Sequence, residues 1–140
     1  MVTYLTTDIG NLLIKIMKVY LTISIIAIIY SLIRAKHDSF ISGGSWKTWA
    51  LIEAIFFSGL LAYFLGSNII DYIFLPVIFG IWFSIFFDIF CGWFRAKKLF
   101  YFGSGKYDNA MRKIFVLPEN FVVFKIIWLV LISGAYSQIN

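Results

Sequence analysis

Charge is scarce in this sequence: acidic and basic residues make up 14% of 140 residues, 61% are hydrophobic, and the mean hydropathy is +0.90. Too few polar groups are present to cover a water-soluble globule of this size, which excludes a soluble enzyme domain, a coiled coil and a disordered chain and indicates a membrane protein. The single cysteine, Cys91, excludes an internal disulfide framework, a cysteine-based zinc site and a CxxC redox pair. The single histidine, His37, adjoins Asp38, but consecutive side chains on a helix diverge and the spacing specifies no nucleophile. No HExxH, GxSxG or phosphate-loop pattern occurs, and Gly103-Ser104-Gly105-Lys106 lacks the rest of such a loop. The seven carboxylates are scattered singly, so the paired acids that hold magnesium for lipid phosphotransfer are missing. The residues offer no catalytic, cofactor-binding or metal site, and a nonenzymatic role is expected.

What the chain has is four apolar stretches, at 12–33, 49–65, 69–94 and 121–136. Each is close to the roughly 20 residues that a helix needs to cross about 30 Å of hydrocarbon. The runs are continuously apolar rather than alternating, which disfavours a β-barrel. The expected fold is all-α and polytopic: one domain over 1–140, four transmembrane helices, and a basic interfacial loop or short helix between the third and fourth. The first stretch is expected to be retained rather than cleaved, because Ser31-Leu32-Ile33-Arg34-Ala35 offers no small-x-small site. Gly66-Ser67-Asn68 is the only break between the second and third stretches and predicts a tight antiparallel hairpin.

With four crossings, segments 34–48 and 92–120 fall on one side. That side carries nine cations, Arg34, Lys36, Lys47, Arg95, Lys97, Lys98, Lys106, Arg112 and Lys113, against two, Lys15 and Lys18, on the other. Positive charge is retained on the cytoplasmic side during insertion, so both termini are expected outside the cytoplasm. Trp46, Trp49, Trp93 and Tyr136 fit aromatic belts at the two interfaces.

Small residues recur at every fourth position of the second stretch, at Ala50, Ala54, Ser58, Ala62 and Gly66, and in the third at Gly80, Ser84 and Gly92. Such stripes permit close helix approach in lipid, and the two are expected to face each other. Glu53, Asp88 and Lys125 lie six or seven residues from Lys47, Arg95 and Glu119 respectively, which puts all three roughly 9 to 10 Å beneath the basic face. They are expected to meet as an intramembrane ion cluster, either a proton or cation relay or a pairing that fixes helix order. Asp71 reads as an interfacial acid with Lys15 or Lys18 as its partner. In 92–120, aromatic residues interleave with Arg95, Lys97, Lys98, Lys106, Arg112 and Lys113, a mixture suited to anionic lipid phosphates, with nonspecific nucleic-acid phosphate as the alternative. Asp108 or Asn109 is expected to cap a short helix ended by Pro118, with Met111, Ile114, Phe115 and Leu117 resting on the membrane.

The block Phe86-Phe87-Asp88-Ile89-Phe90-Cys91-Gly92-Trp93-Phe94-Arg95, followed by Leu99-Phe100-Tyr101-Phe102-Gly103 and Asp108, resembles a pattern found in small membrane proteins of bacteriophages and prophages of Bacteroidetes-type bacteria. The resemblance spans about 80–115, with Ala35-Lys36-His37 matching an upstream histidine, and Gly92 stands where that pattern often has Asn. It implies a viral or prophage origin, an integral membrane location in the host inner membrane or an internal virion membrane, and a fixed element made by Asp88, Arg95, Tyr101, Gly103 and Asp108. The expected role is a structural membrane component whose partners are the lipid bilayer, further copies of itself, or neighbouring capsid or membrane proteins. A holin-like pore former and a small ion channel or transporter are the alternatives.

Overall fold

The computed structural model describes residues 2–39, 46–96, 99 and 106–139, and among these the regular structure is all helical. The elements are α1 (Val2–Ser39), α2 (Trp46–Leu65), α3 (Ile69–Cys91) with a π-helical turn at Gly92–Ala96, α4 (Lys106–Phe115) and α5 (Pro118–Ile139). Three helical segments are long and apolar enough to cross a membrane: Met17–Asp38, Ile69–Arg95 and Pro118–Ile139. The fourth apolar stretch, Trp49–Leu65, is helical but shorter. The first helix extends beyond the expected start at 12, back to Val2. The fifth starts at Pro118: proline fits the first helical position, where its missing N–H is no loss, so this residue opens α5 as well as closing the segment before it.

The bundle is organised around α3, against which α1, α2 and α5 all pack; among the described residues α2 and α5 share no extended contact, nor do α1 and α5. Two helices present stripes of small buried residues, Ala27, Ser31 and Ala35 on α1 and Ala50, Ala54, Ser58 and Ala62 on α2. The central helix presents a ridge of rings at the same spacing, Phe79, Phe83 and Phe87, with Phe83 and Phe87 stacked at 5.1 Å. Tyr30 of α1 stacks on Phe57 of α2 at 5.0 Å and lies 5.5 Å from Phe83, which joins the three helices. The buried serines satisfy their hydroxyls locally, Ser31 donating to Ile28 O at 2.7 Å and Ser58 to Ile55 O at 2.8 Å, so they act as small apolar residues in the seam.

Of the two small-residue stripes expected to face each other, that of α2 is buried and so is Gly92, whereas Gly80 has open space where a Cβ would stand, so no close helix approach is made at Gly80. Gly66 lies just beyond α2, and a Cβ there would fall 2.5 Å from the Ala62 carbonyl oxygen, so the hairpin requires glycine at that point.

The exterior is apolar. Met17, Ile33, Phe56, Phe64, Ile73, Val130 and Leu131 are all exposed, while Ser24, Ser31, Asp38, Ser58 and Asp71 are buried. Outward hydrophobic surface with inward polar groups is the arrangement that hydrocarbon solvent selects. Between α4 and α5, Val116 adopts φ 57°, the left-handed region, which a β-branched residue enters at a cost of about 1–2 kcal/mol. Val116→Gly is therefore expected to raise stability by about 1 kcal/mol in an SDS titration followed by circular dichroism.

Candidate functional site

The charged groups gather in two places at one end of the bundle. The first is built on the last turns of α1, where Arg34 and Asp38 are four residues apart and so share a face. The Arg34 Nε lies 3.2 Å from Asp38 Oδ2, and its Nη1 lies 3.0 Å from Glu53 Oε2 on α2. Tyr30 OH also donates to Glu53 Oε2, at 3.2 Å. Asp38 is fully buried; His37 Nδ1 sits 3.2 Å from its other carboxylate oxygen, and Arg95 Nη2 donates to its backbone carbonyl. Arg95 lies in the π-helical turn at the end of α3 and reaches α1 from there.

The second place is between α3 and α5. Lys125 Nζ donates to Asp88 Oδ2 at 2.5 Å and to Ser84 O at 3.2 Å, and stands 4.1 Å above the Phe121 ring. The expected trio is thus corrected. Asp88 and Lys125 meet, while Glu53 takes Arg34 and Tyr30 instead, because α2 and α5 lie on different flanks of α3. Counting residues from the basic face fixes a side chain's height, whereas its partner depends on the direction in which the helix turns it.

At the opposite end, Asp71 belongs to the start of α3. Asn68 and Asp71 form a reciprocal capping box: Asn68 Oδ1 accepts from Asp71 N at 2.8 Å, and Asp71 Oδ2 accepts from Asn68 N at 3.3 Å. Ser67 adds its N–H at 2.6 Å and its hydroxyl at 3.0 Å, and Tyr136 of α5 donates to Oδ1 at 2.7 Å. The expected pairing with Lys15 or Lys18 is replaced by these contacts, and both lysines are exposed. Tyr136, expected in an interfacial belt, is buried to serve this acid. Asp71→Ala removes the cap and strands the Tyr136 hydroxyl, with an expected loss of about 2 kcal/mol in detergent-monitored unfolding, against about 1 kcal/mol for Tyr136→Phe.

Of the cations assigned to the basic face, Arg95, Arg112 and Lys113 are exposed; Lys97, Lys98 and the side chain of Lys106 lie outside the described residues, as do Tyr101 and Gly103. Asp108 is buried at the start of α4. Phe115, expected on the membrane, packs instead on Phe121 and Phe124 at 4.9 and 5.2 Å, while Ile114 and Leu117 are exposed. Cys91 is buried and forms no disulfide. Among the described residues no three histidine, cysteine or acidic side chains group to hold a metal ion. The residue pair that sequence reasoning missed is Arg34 with Asp38, and its four-residue spacing was the signal. No family model matches the chain, and comparison with curated proteins and with solved structures returns no match.

Proposed function

We propose that this chain is a nonenzymatic integral membrane protein, a structural component that crosses the bilayer with all four apolar helices and presents a cationic face to anionic phosphate. The observation that carries the reading is how the buried charges are spent. Arg34 joins two acids from two helices, Lys125 ties α5 to α3, and Asp71 caps a helix, so these groups hold the bundle together. The cationic side, with exposed Arg95, Arg112 and Lys113, has both termini and the Gly66 hairpin opposite it and lies in the cytoplasm by the positive-inside rule. Anionic lipid headgroups are the partner of that face. The resemblance in the segment from Gly80 to Phe115 supports a phage or prophage setting, in a host inner membrane or an internal virion membrane.

Reconstitution into vesicles of phosphatidylglycerol and phosphatidylethanolamine tests this. The vesicles are expected to hold a proton gradient and an entrapped dye as well as empty ones. Proton flux abolished by Asp88→Asn would make the protein a channel, and dye release would make it a pore former of the holin kind; either outcome overturns the proposal.

A further inference from the structure

Among the described residues α1 and α5 flank α3 without packing along each other, and at the end of the bundle that holds Asp71 they leave an open cleft of about 570 Å³. It is lined by Ile14, Met17 and Leu21 of α1 with Ser133, Tyr136 and Ser137 of α5, and Tyr20, which also lines it, shares a hydrogen bond with Ser133 at 3.0 Å. The volume falls within the range of about 300–1,000 Å³ typical of small-molecule sites. The polar groups at the inner end are already engaged: Tyr20 and Ser133 hold each other, and Tyr136 donates to Asp71. What remains is an apolar trough with one cation, Lys18, on its rim and a second, Lys15, one turn further out on the same helix. Neither ammonium has an ion-pair partner among the described residues, and both lie in the first part of the apolar stretch that begins at 12, from which a long lysine side chain reaches the level of the lipid phosphates by snorkelling.

From this juxtaposition we infer that the cleft is a binding site for one anionic phospholipid, its phosphate held by Lys18 and Lys15 and one acyl chain lying between α1 and α5. The site is on the face opposite the one that carries Arg95 and Arg112, and it rests on the membrane-crossing reading proposed above. An acyl chain completes what the helices leave undone, since it fills the gap between α1 and α5 with hydrocarbon and lets both rest on α3. An anionic headgroup is favoured because Lys18 lines the cleft, Lys15 lies three residues before it, and neither has an acidic partner among the described residues.

The test is native mass spectrometry of the full chain released from detergent, titrated with dioleoyl phosphatidylglycerol or with dioleoyl phosphatidylcholine. One phosphatidylglycerol per chain is expected to stay bound, with phosphatidylcholine weaker. Lys18→Gln is expected to weaken phosphatidylglycerol about fivefold and to leave phosphatidylcholine unchanged. Ser137→Leu, which fills the trough at an exposed position, is expected to weaken both, and Lys113→Gln neither. Equal retention of the two lipids, or indifference to both Lys18→Gln and Ser137→Leu, would overturn the inference. Resistance of the protein to alkaline carbonate extraction, measured on the same membranes, separates the two failures: extraction refutes the membrane reading itself, whereas retention without bound lipid refutes this site alone.

Discussion

Arg34→Met is expected to lower the unfolding free energy by about 3–5 kcal/mol, the cost of leaving a buried acid without its counterion. The variant keeps most of the side-chain volume and removes only the charge. Asp38, fully buried, then loses the cation 3.2 Å away, and Glu53 loses the one that ties α2 to α1 at 3.0 Å. The Arg95 donation to the Asp38 carbonyl does not compensate, because it reaches the backbone and not the carboxylate. The triple variant Arg34→Met, Asp38→Leu, Glu53→Gln is expected to recover most of the loss, since apolar or neutral groups of similar size replace the charges that needed pairing. SDS-induced unfolding in mixed micelles, followed by far-ultraviolet circular dichroism, measures both. If Arg34→Met is neutral, the cluster is a surface arrangement of little energetic weight.

Lys125→Met carries the second large effect, about 3 kcal/mol by the same argument, but it acts on a different joint. Lys125 gives Asp88 its ion pair and also donates to the Ser84 carbonyl, so one ammonium fixes the rotation of α5 against α3. Its place over Phe121 adds a cation–π contribution of about 0.5–2 kcal/mol that methionine replaces only in part. Combining Lys125→Met with Asp88→Leu is expected to restore most of the stability, while Lys125→Met with Glu53→Gln is expected to restore none. That contrast distinguishes the observed pairing from a three-way cluster. Double-mutant cycles on the two combinations give coupling energies of opposite outcome: large for Asp88 with Lys125 and near zero for Glu53 with Lys125.

The apolar helices were legible in the sequence because an unbroken hydrophobic run of about 20 residues matches the thickness of a bilayer and exceeds what the core of a small soluble domain can bury. So was the small-residue stripe of α2, which is buried at Ala50, Ala54, Ser58 and Ala62. The mate of that stripe was not legible. Small residues at fourfold spacing identify a surface that another helix can approach, but they do not say whether the partner offers small residues or rings, and on α3 the fully or nearly fully buried residues are Phe79 and Phe83 rather than Gly80. The charged residues show the same division. Height follows from residue counting, and Asp88 and Lys125 do meet; direction depends on which helices are neighbours, and Glu53 points to α1. Two local signals were available and carry the rest: Asn68 three residues before Asp71, a capping-box spacing, and Arg34 four residues before Asp38, a one-face spacing.

The central claim of the proposed topology, that α2 crosses the bilayer together with the three longer candidate spans, is tested most directly by cysteine labelling in intact cells. In a Cys91→Ala background, single cysteines replace Lys36, Ser67, Arg112 or Ser137, and each variant is exposed to a membrane-impermeant maleimide. Ser67→Cys and Ser137→Cys are expected to react from outside, and Lys36→Cys and Arg112→Cys only after the membrane is permeabilised. Reaction of Lys36→Cys and Ser67→Cys from the same side would show that α2 does not cross, and the placement of the cations on one face would fall with it.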